Sequence, residues 1–279
     1  MRGRKILRRA ILRDFKQIAA LRKELFGEFS HERFKSYISK NPDLVLVIQE
    51  KGKIIGYCVG VVAKEGMGRI YQIGVERDHL NKGHMNRLLT YIMDALRKRG
   101  CREIRTSFIA EESLGFFLKH GFKIRETVFS YEKTDFATPV KGNQSLVIRP
   151  FRPDDVEVLL ELEHKCFEPF WHTSREEFIS WTRIPEASFF VGIMNDAIVA
   201  YNFNVIVSET GHYGRIAVHP DYRRQGVGTR MTVNAIEWFE KKGAKKILLN
   251  TQVSNIEARR MYEKLGFRIL KKLYLATYA

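Results

Sequence analysis

The sequence predicts a mixed α/β fold that is built twice within a chain of 279 residues. Two observations carry this prediction. Apolar runs alternate with amphipathic segments of helical period, in the order helix, antiparallel strands, helix, strand, helix, strand. The same order and the same turn signals return in the second half of the chain. An apolar content of 44% is typical of globular domains, and the length suffices for two of them.

In the first half, an amphipathic helix begins at Asp14, and apolar strands follow it. A turn at Gly83 introduces a second helix, which ends near Gly100, and a last turn at Gly121 precedes the closing strand. The strands before that closing strand are predicted at 44–48, 54–62, 68–75 and 103–108. We expect each half to be closed by its own last strand.

The second half repeats this order from Asp155 onwards, with corresponding turns at Gly226, Gly243 and Gly266. Its strands are predicted at 189–193, 198–207, 213–218 and 246–251. The segment 137–145 carries a proline and a glycine and breaks both periodicities, which is typical of a linker. We therefore predict a first domain at 1–138, a linker at 139–145 and a second domain at 146–279.

One stretch of the second half carries a chemical signal. The apolar run Arg215–Val218 ends in the turn His219–Gly226, and an amphipathic helix starts at Val227. Glycines at 226 and 228 allow backbone N–H groups to approach a ligand closely. A helix N-terminus with two neighbouring arginines suits a phosphate or diphosphate.

A second motif follows at 254–267. Ser254 and Glu257 have the spacing of a capping box, Tyr262 lies on the apolar face of the predicted helix, and Gly266 is a left-handed stop. The pattern Arg223-x-x-Gly226-x-Gly228 resembles the acetyl-CoA diphosphate loop of the GCN5-related N-acetyltransferase (GNAT) family. The motif from Asn255 to Phe267 resembles the second signature of that family.

The resemblance covers nearly the whole chain and implies two tandem GNAT domains. It implies that two central strands splay apart, which we expect after Val218 and before Asn250, and that acetyl-CoA lies in the gap. Val218 N–H would polarise the thioester carbonyl, Tyr262 would be the general acid, and Asn255 would bind the cofactor arm. The implied cofactor-binding residues are Ile216, Ala217, Val218, Arg223, Arg224, Gln225, Gly226, Val227, Gly228, Thr229, Asn255 and Tyr262. Two alternatives stay open: Tyr262 as a core aromatic and Asn255 as a helix cap.

The acceptor amine must lose a proton before it can attack, and the base is less clearly marked. Protein N-terminal (RimI-like) members of the family carry a glutamate on the strand before the second signature, where this chain has Asn250. Glu209, His212 and Glu168 are the alternatives, and we rank Glu209 first.

The acceptor site is predicted in the loop after the first helix of the second half. Glu168, Phe170 and Trp171 place aromatic rings beside an acid, which suits a cationic amine or a peptide. Tyr274 is expected to close the far side. The predicted function is acetyl-CoA-dependent N-acetylation of a protein or peptide N-terminus or of a small-molecule amine. The alternative is a non-catalytic module that binds CoA or nucleic acid.

The first half keeps the fold signals and loses the chemical ones. Leu80 and Met85 stand at the positions of Arg223 and Gly228, and Phe117 stands at that of Tyr262. The side chain of Met85 would crowd a diphosphate, and a phenylalanine has no hydroxyl to donate. We expect a scaffold or acceptor platform, with a degenerate site that holds CoA without turnover as the alternative.

Composition sets further bounds. Of the net charge of +16, residues 1–138 contribute 28 Lys+Arg against 16 Asp+Glu, or +12, and the rest contributes +4. This basic half is either a docking surface for an acidic partner such as RNA or a solvated basic surface, which is the simpler interpretation. Three scattered cysteines show no metal-ligand spacing, so we expect no metal. The basic N-terminus is not followed by an apolar core and no run is long enough to span a bilayer, so we expect a cytoplasmic protein.

Overall fold

The structure is a computed structural model, and it describes residues 5–27, 31–64 and 66–279. The basic residues at 1–4 lie outside the described residues. The chain forms two compact units, one of residues 1–127 and 272–279 and one of residues 128–271. Each unit contains one mixed sheet with helices packed on it.

The first unit contains a sheet that is antiparallel except for one parallel pair. Its elements are β1 (Lys5–Arg9), α1 (Phe15–Phe26), α2 (His31–Lys40), β2 (Val45–Glu50), β3 (Lys53–Lys64), β4 (Met67–Val75), α3 (His84–Lys98), β5 (Glu103–Thr106), β6 (Ile109–Ala110), α4 (Glu111–Lys119) and the start of β7 (Lys123–Lys133). The strands β1 to β5 are neighbours in chain order. The parallel pair is β4 with β5, with Met67 opposite Glu103 and Ile70 opposite Thr106.

The second unit repeats this plan. Its elements are β8 (Val147–Pro150), α5 (Val156–Cys166), α6 (Arg175–Trp181), β9 (Ala187–Met194), β10 (Ala197–Val207), β11 (Thr210–Val218), α7 (Val227–Lys241), β12 (Lys246–Gln252), α8 (Ile256–Lys264) and the start of β13 (Arg268–Tyr278). The helices α5 and α6 cover one face of the sheet, and α7 covers the other. Neither α6 nor its counterpart α2 was predicted from the sequence.

The repeat is visible in matching ion pairs at the start of each half. Arg8 donates two hydrogen bonds to Asp14, at 2.6 and 2.9 Å, and Arg149 donates two to Asp155, both at 2.7 Å. Each aspartate also accepts a backbone N–H three residues before it. The two pairs fix the entry into α1 and α5, as predicted from the repeat of these aspartates.

The last strand of each half ends in the other unit. Residues 128–133 of β7 belong to the second unit and pair antiparallel with β12, where Ile247 is opposite Lys133. Residues 272–279 of β13 belong to the first unit, where Thr277 is opposite Arg105 on β5. The expectation that each half is closed by its own last strand is therefore wrong. The predicted linker at 139–145 lies within the second unit.

The parallel strands β11 and β12 separate early. They pair only from Thr210 opposite Lys246 to His212 opposite Leu248. From Tyr213 onwards β11 keeps its partner β10, while β12 keeps its partner β7 as far as Gln252. The two strands therefore open a gap in the sheet. The gap starts before Asn250, as predicted, but it begins after His212 and not after Val218.

A β-bulge changes the direction of the side chains along β11. Phe203 on β10 is opposite Arg215 and the next residue of β10 is opposite Tyr213, which leaves Gly214 as the extra residue. The hydroxyl of Tyr213 lies 3.2 Å from Thr232 on α7, whereas Arg215 points towards α5 on the other face. Bulges of this kind redirect side chains at the edge of active sites.

Candidate active site

The predicted diphosphate loop adopts the conformation that an anion site requires. After β11 the chain makes a short 3-10 turn at Pro220–Tyr222, and Arg224 and Gly226 both have positive φ, 58° and 77°. Gly226 is the residue from which α7 starts, and Arg230 N–H is bonded back to Gly226 O at 3.0 Å. The N–H groups of 227–229 precede that first helical bond, so they have no partner within the helix. They point out of the helix N-terminus, where its partial positive charge favours an anion.

Gly228 lies at the mouth of the gap. A Cβ at this position would lie 3.3 Å from Met261 Sδ and 3.6 Å from Val218 Cγ2, so one carbon fits tightly and a longer side chain would fill the space. The neighbouring residue Val227 is buried in the core below α7, which fixes the start of the helix. Glycine at this position therefore lets a ligand approach the backbone N–H groups more closely than a longer side chain would.

The two arginines of the loop differ in their contacts. Arg224 is exposed, whereas Arg223 Nε donates to Val218 O at 3.1 Å. Gln225 also turns back onto the turn and donates to Asp221 O at 2.8 Å. Arg223 and Gln225 thus stabilise the loop through these contacts, while Arg224 keeps its charge at the surface.

Val218 presents its peptide groups to the gap. His219 N–H donates to Val199 O on β10, and Val218 lies opposite Ala200. Because N–H groups alternate in direction along a strand, Val218 N–H points away from β10 and into the gap. Its carbonyl oxygen points the same way and accepts from Arg223 and from Cys166 Sγ, which is 3.2 Å away. Burial raises the pKa of the Cys166 thiol, so this group stays protonated and can donate.

Tyr262 is a core aromatic residue of α8 and also lies beside the gap. It is 4% exposed, and its ring contacts those of Tyr131, Tyr213 and Phe267. Burial raises its pKa above the ordinary value for a tyrosine, so its hydroxyl keeps its proton. The preceding residue, Met261, approaches Gly228. The general-acid role of Tyr262 stays a prediction.

Asn255 caps α8. Its side-chain oxygen accepts from Ala258 N–H at 3.1 Å, which is the N-cap interaction considered from the sequence. The side-chain nitrogen is left for another partner, so a second role towards a ligand stays a prediction.

The structure does not bring Glu209 to the gap mouth. Glu209 lies in the turn before β11, and Val218 ends that strand nine residues later, which is about 25–30 Å along an extended chain. Glu209 therefore sits at the end of β11 opposite to the loop. His212 lies on the same strand where the gap begins, and burial lowers its pKa.

Glu168 lies at the end of the sheet where β11 ends at Val218. It follows Cys166 by two residues, and Cys166 is hydrogen-bonded to Val218 O. Two residues span at most about 7 Å, so this exposed carboxylate lies near the open end of the gap. Among the candidates from the sequence, Glu168 is the one that lies close in the chain to a residue in contact with Val218, whereas Glu209 lies at the other end of β11.

A buried network that the sequence analysis missed holds the loop of Glu168. Glu163 on α5 is 0% exposed, and its carboxylate accepts from the Tyr201 hydroxyl, from Thr173 N–H at 2.7 Å and from Arg215 Nη2 at 2.7 Å. The same Arg215 nitrogen donates to Trp171 O at 2.6 Å. One signal was present in the sequence, since Glu163 interrupts the predicted apolar face of its helix.

The aromatic residues of the loop are partly buried. Phe170 and Trp171 pack edge to face with ring centroids 4.8 Å apart, and the guanidinium of Arg215 lies 3.8 Å above the ring of Phe167. The loop is therefore an ordered wall beside Glu168. Tyr274, by contrast, belongs to the first unit, where it pairs with Ile109 and is buried, and its expected role in closing the acceptor site stays a prediction.

The first unit keeps the backbone conformation of the loop but has Met85 in place of the second glycine. Asn81 and Gly83 have φ values of 59° and 76°, close to those of their counterparts in the second unit. Met85, however, packs against the core of the unit at the position of Gly228. Phe117 replaces the tyrosine and is 2% exposed. The two repeats thus share a conformation and differ in their side chains.

Two further features concern groups of metal ligands and membrane-spanning helices. Among residues 5–27, 31–64 and 66–279, no three His, Cys, Asp or Glu side chains are grouped so that they could hold a metal ion. Within the same described part of the chain, no helix is both long enough and apolar enough to cross a bilayer.

Comparisons with known proteins identify the family of the chain. The model of the acetyltransferase (GNAT) family matches the chain twice, at residues 10–122 and 156–267. The chain therefore belongs to the GNAT family as a tandem member, and its class is that of N-acetyltransferase enzymes.

Among the relatives, N-alpha-acetyltransferase 30 of Schizosaccharomyces pombe is 38% identical over 64 residues, which are 23% of this chain and 43% of that enzyme. The putative [ribosomal protein bS18]-alanine N-acetyltransferase of Bacillus subtilis is 27% identical over 121 residues, 43% of this chain and 80% of that enzyme. A solved tandem GNAT protein from the clavulanic acid biosynthesis pathway shares the fold, with a TM-score of 0.75 at 13% identity over 99% of this chain and 98% of that one.

Proposed function

We propose that the second unit transfers an acetyl group from acetyl-CoA to the α-amino group of a protein or peptide. The observation that carries this proposal is the gap between β11 and β12. One rim of the gap holds Val218 N–H, the left-handed loop of Gly226 lies at its mouth, and Tyr262 lies beside it. In this proposal they hold the diphosphate, polarise the thioester carbonyl and protonate the departing thiolate, while a fourth group serves as the base.

The residues present fit acetyl-CoA. Gly228 leaves a space that a longer side chain would fill, and the N–H groups of 227–229 and the charge of Arg224 are suited to a diphosphate. When bound, acetyl-CoA supplies an activated acetyl group and a thiolate leaving group. The residues Arg223 and Gln225 support the loop conformation and so contribute indirectly.

The chain contributes two groups to the transfer itself. Val218 N–H is aimed into the gap, so it can donate to the carbonyl oxygen as negative charge develops there. Tyr262 holds a proton on its hydroxyl because burial raises its pKa, and it donates that proton to the departing sulfur.

The base in this proposal is Glu168, acting directly or through one water molecule. It replaces Glu209, which lies at the wrong end of β11. The buried carboxylate of Glu163 is saturated by hydrogen bonds and is not free to accept a proton from a substrate. Its role is to position the loop that carries Glu168 and the aromatic wall.

The acceptor class is supported by two observations. The relatives named above acetylate α-amino groups according to their names, one of them the alanine of a ribosomal protein. The loop at 167–173 also carries partly buried aromatic side chains, which suit contacts with a peptide.

The test is acetyl-CoA turnover with a panel of peptides that differ at their first residue and, in parallel, with small-molecule amines. Release of CoA thiol and a mass increase at the peptide N-terminus support the proposal. Turnover with small amines alone would replace the acceptor class. CoA binding without release of thiol would favour the non-catalytic alternative.

An Arg215→Met variant separates the acceptor loop from the cofactor site. It removes the link from Glu163 to Trp171 O, so we expect KM for the peptide to rise about tenfold while the Kd of CoA stays within twofold of wild type. Equal losses in both constants would show that the network supports the unit as a whole and not the acceptor loop.

A further inference from the structure

The segment at 142–146 is bound to the back of the diphosphate loop. Asn143 N–H donates to Gly226 O at 3.0 Å, and Asn143 Nδ2 donates to Gln225 O at 2.9 Å. The side-chain oxygen of Asn143 accepts from Ser145 N–H at 2.9 Å. Both polar atoms of this side chain therefore have a partner. Asn143 binds the loop through two donors, its backbone N–H and its side-chain Nδ2.

The contact is close and anchored. Gly142 has a φ of +71°, and a Cβ there would lie 2.4 Å from Arg230 N and 2.7 Å from Gly226 O. Four residues after Gly142, Leu146 is buried against Val227 and Met231 in the core below α7. The segment is thus fixed at one end by the core and meets the loop where only a glycine fits.

Peptide geometry connects these bonds to the anion site. The C=O and N–H of a trans peptide point in opposite directions. A bond that holds Gln225 O therefore also sets the direction of Gly226 N–H. Gly226 O accepts from both Asn143 N–H and Arg230 N–H of α7, so Asn143 reinforces the direction that the helix already gives to Val227 N–H. Asn143 binds the carbonyl side of both peptides, which leaves their N–H side free for a ligand.

We propose that Asn143 is a positioning residue for the cofactor: it orients the N–H groups of Gly226 and Val227 towards the diphosphate of CoA. The linker between the two sequence repeats is then a working part of the second unit's site. This inference rests on the proposed function, because it takes the loop at 223–229 to bind CoA.

The first unit provides an internal contrast. Gly83 has the same conformation as Gly226, with φ 76° and ψ 3° against 77° and 4°. No described atom lies within 4 Å of the position of a Cβ at Gly83, whereas Asn143 N lies 3.0 Å from that position at Gly226. The contact from Asn143, which we call the brace, therefore accompanies the loop that keeps Gly228. This type of turn does not in general require it.

The experiment is a calorimetric titration of the full chain with CoA, and displacement of CoA by inorganic diphosphate, for wild type and three variants. Asn143→Ala removes the donor to Gln225 O, and we expect its Kd for CoA to rise about fivefold. Gly142→Ala pushes the segment off the loop, and we expect a rise of tenfold or more. Gln144→Ala is the matched control, since its side chain bonds only to Lys141 O and Gly142 O. We expect its Kd to stay within twofold of wild type.

A second readout separates positioning from general stability. For Asn143→Ala we expect KM for acetyl-CoA to rise, kcat to stay within twofold of wild type and the melting temperature to fall by less than about 2 °C. An unchanged Kd in Asn143→Ala, or an equal rise in Gln144→Ala, would overturn the positioning role. If the wild-type protein itself binds no CoA, the proposed function fails, and that result is distinct from failure of the brace.

Discussion

Replacing Tyr262 with phenylalanine tests the proposed chemistry because the change is confined to one hydroxyl. The ring supplies the contacts to Tyr131, Tyr213 and Phe267, and these remain. The first unit has a phenylalanine, Phe117, at the same place in its own core. We therefore expect the free energy of unfolding to change by less than about 1 kcal/mol.

Activity should respond far more strongly. Proton transfer by a positioned acid contributes about 10²- to 10⁴-fold to a rate, so we expect kcat to fall by at least about 100-fold, which corresponds to about 2.7 kcal/mol in the barrier. The Kd of CoA should stay within threefold, since the diphosphate loop is untouched. CoA release, followed with a thiol reagent under saturating substrates, measures kcat, and calorimetry measures Kd.

The pH dependence supplies an independent check. Burial raises the pKa of Tyr262 above its ordinary value of 10.0, so the acid stays protonated between pH 6 and 9 and no loss of wild-type activity in that range arises from it. Tyr131→Phe is the matched control, because it removes a hydroxyl from the same cluster. A kcat for Tyr262→Phe within threefold of wild type, or an equal fall in the control, would refute the assignment.

Three further predictions concern the cofactor space, the base and stability. Gly228→Met should abolish CoA binding measured by calorimetry, while the circular dichroism spectrum is retained. The longer side chain would fill the mouth of the gap, and Met85 occupies the corresponding position in the first unit. Tight CoA binding by this variant would contradict the proposed site. Glu168→Gln should lower kcat/KM by about 10²-fold at pH 7 and change its pH profile, whereas Glu209→Gln should leave kcat/KM and its pH profile unchanged. A loss in Glu209→Gln without a loss in Glu168→Gln would instead support Glu209 as the base, as ranked from the sequence. Asp155→Asn should lower the stability measured in urea by roughly 1–3 kcal/mol at pH 7. Because hydrogen bonding to a guanidinium lowers the pKa of Asp155, this contribution is present above about pH 4 and is lost as the pH falls through the lowered pKa. A difference that stayed constant as the pH was lowered from 7 until the protein unfolds would contradict the ion-pair explanation.

Much of this protein follows from local patterns in its sequence. The left-handed stop at Gly266 and the start of α7 at Val227 depend on residues within a few positions of each other, and both were predicted. The cap at Asn255 is equally local and was one of the two roles left open for that residue. The duplication was also legible, since Asp14 and Asp155 recur at the same point of each repeat and form the same ion pair.

Other features depend on contacts between distant parts of the chain, and only the tertiary structure decided them. The last strands exchange units because a strand can pair with any free edge, and local sequence does not specify which one. Glu209 lies away from the diphosphate loop because the direction of β11 places it at the far end of the strand. Arg215 reaches Glu163 only because a bulge at Gly214 turns its side chain to the face of α5.

The sequence by itself therefore determined the family fold, its repetition and the loop that suits a diphosphate, because each of these is encoded in short-range spacing. The tertiary structure decided which candidate acid lies towards the end of β11 that carries Val218 and in which unit each closing strand ends. It also decided which residue binds the carbonyl groups of Gln225 and Gly226. The contact from Asn143 to Gln225 shows the reason, since it joins two residues that are 82 positions apart and that no periodicity connects.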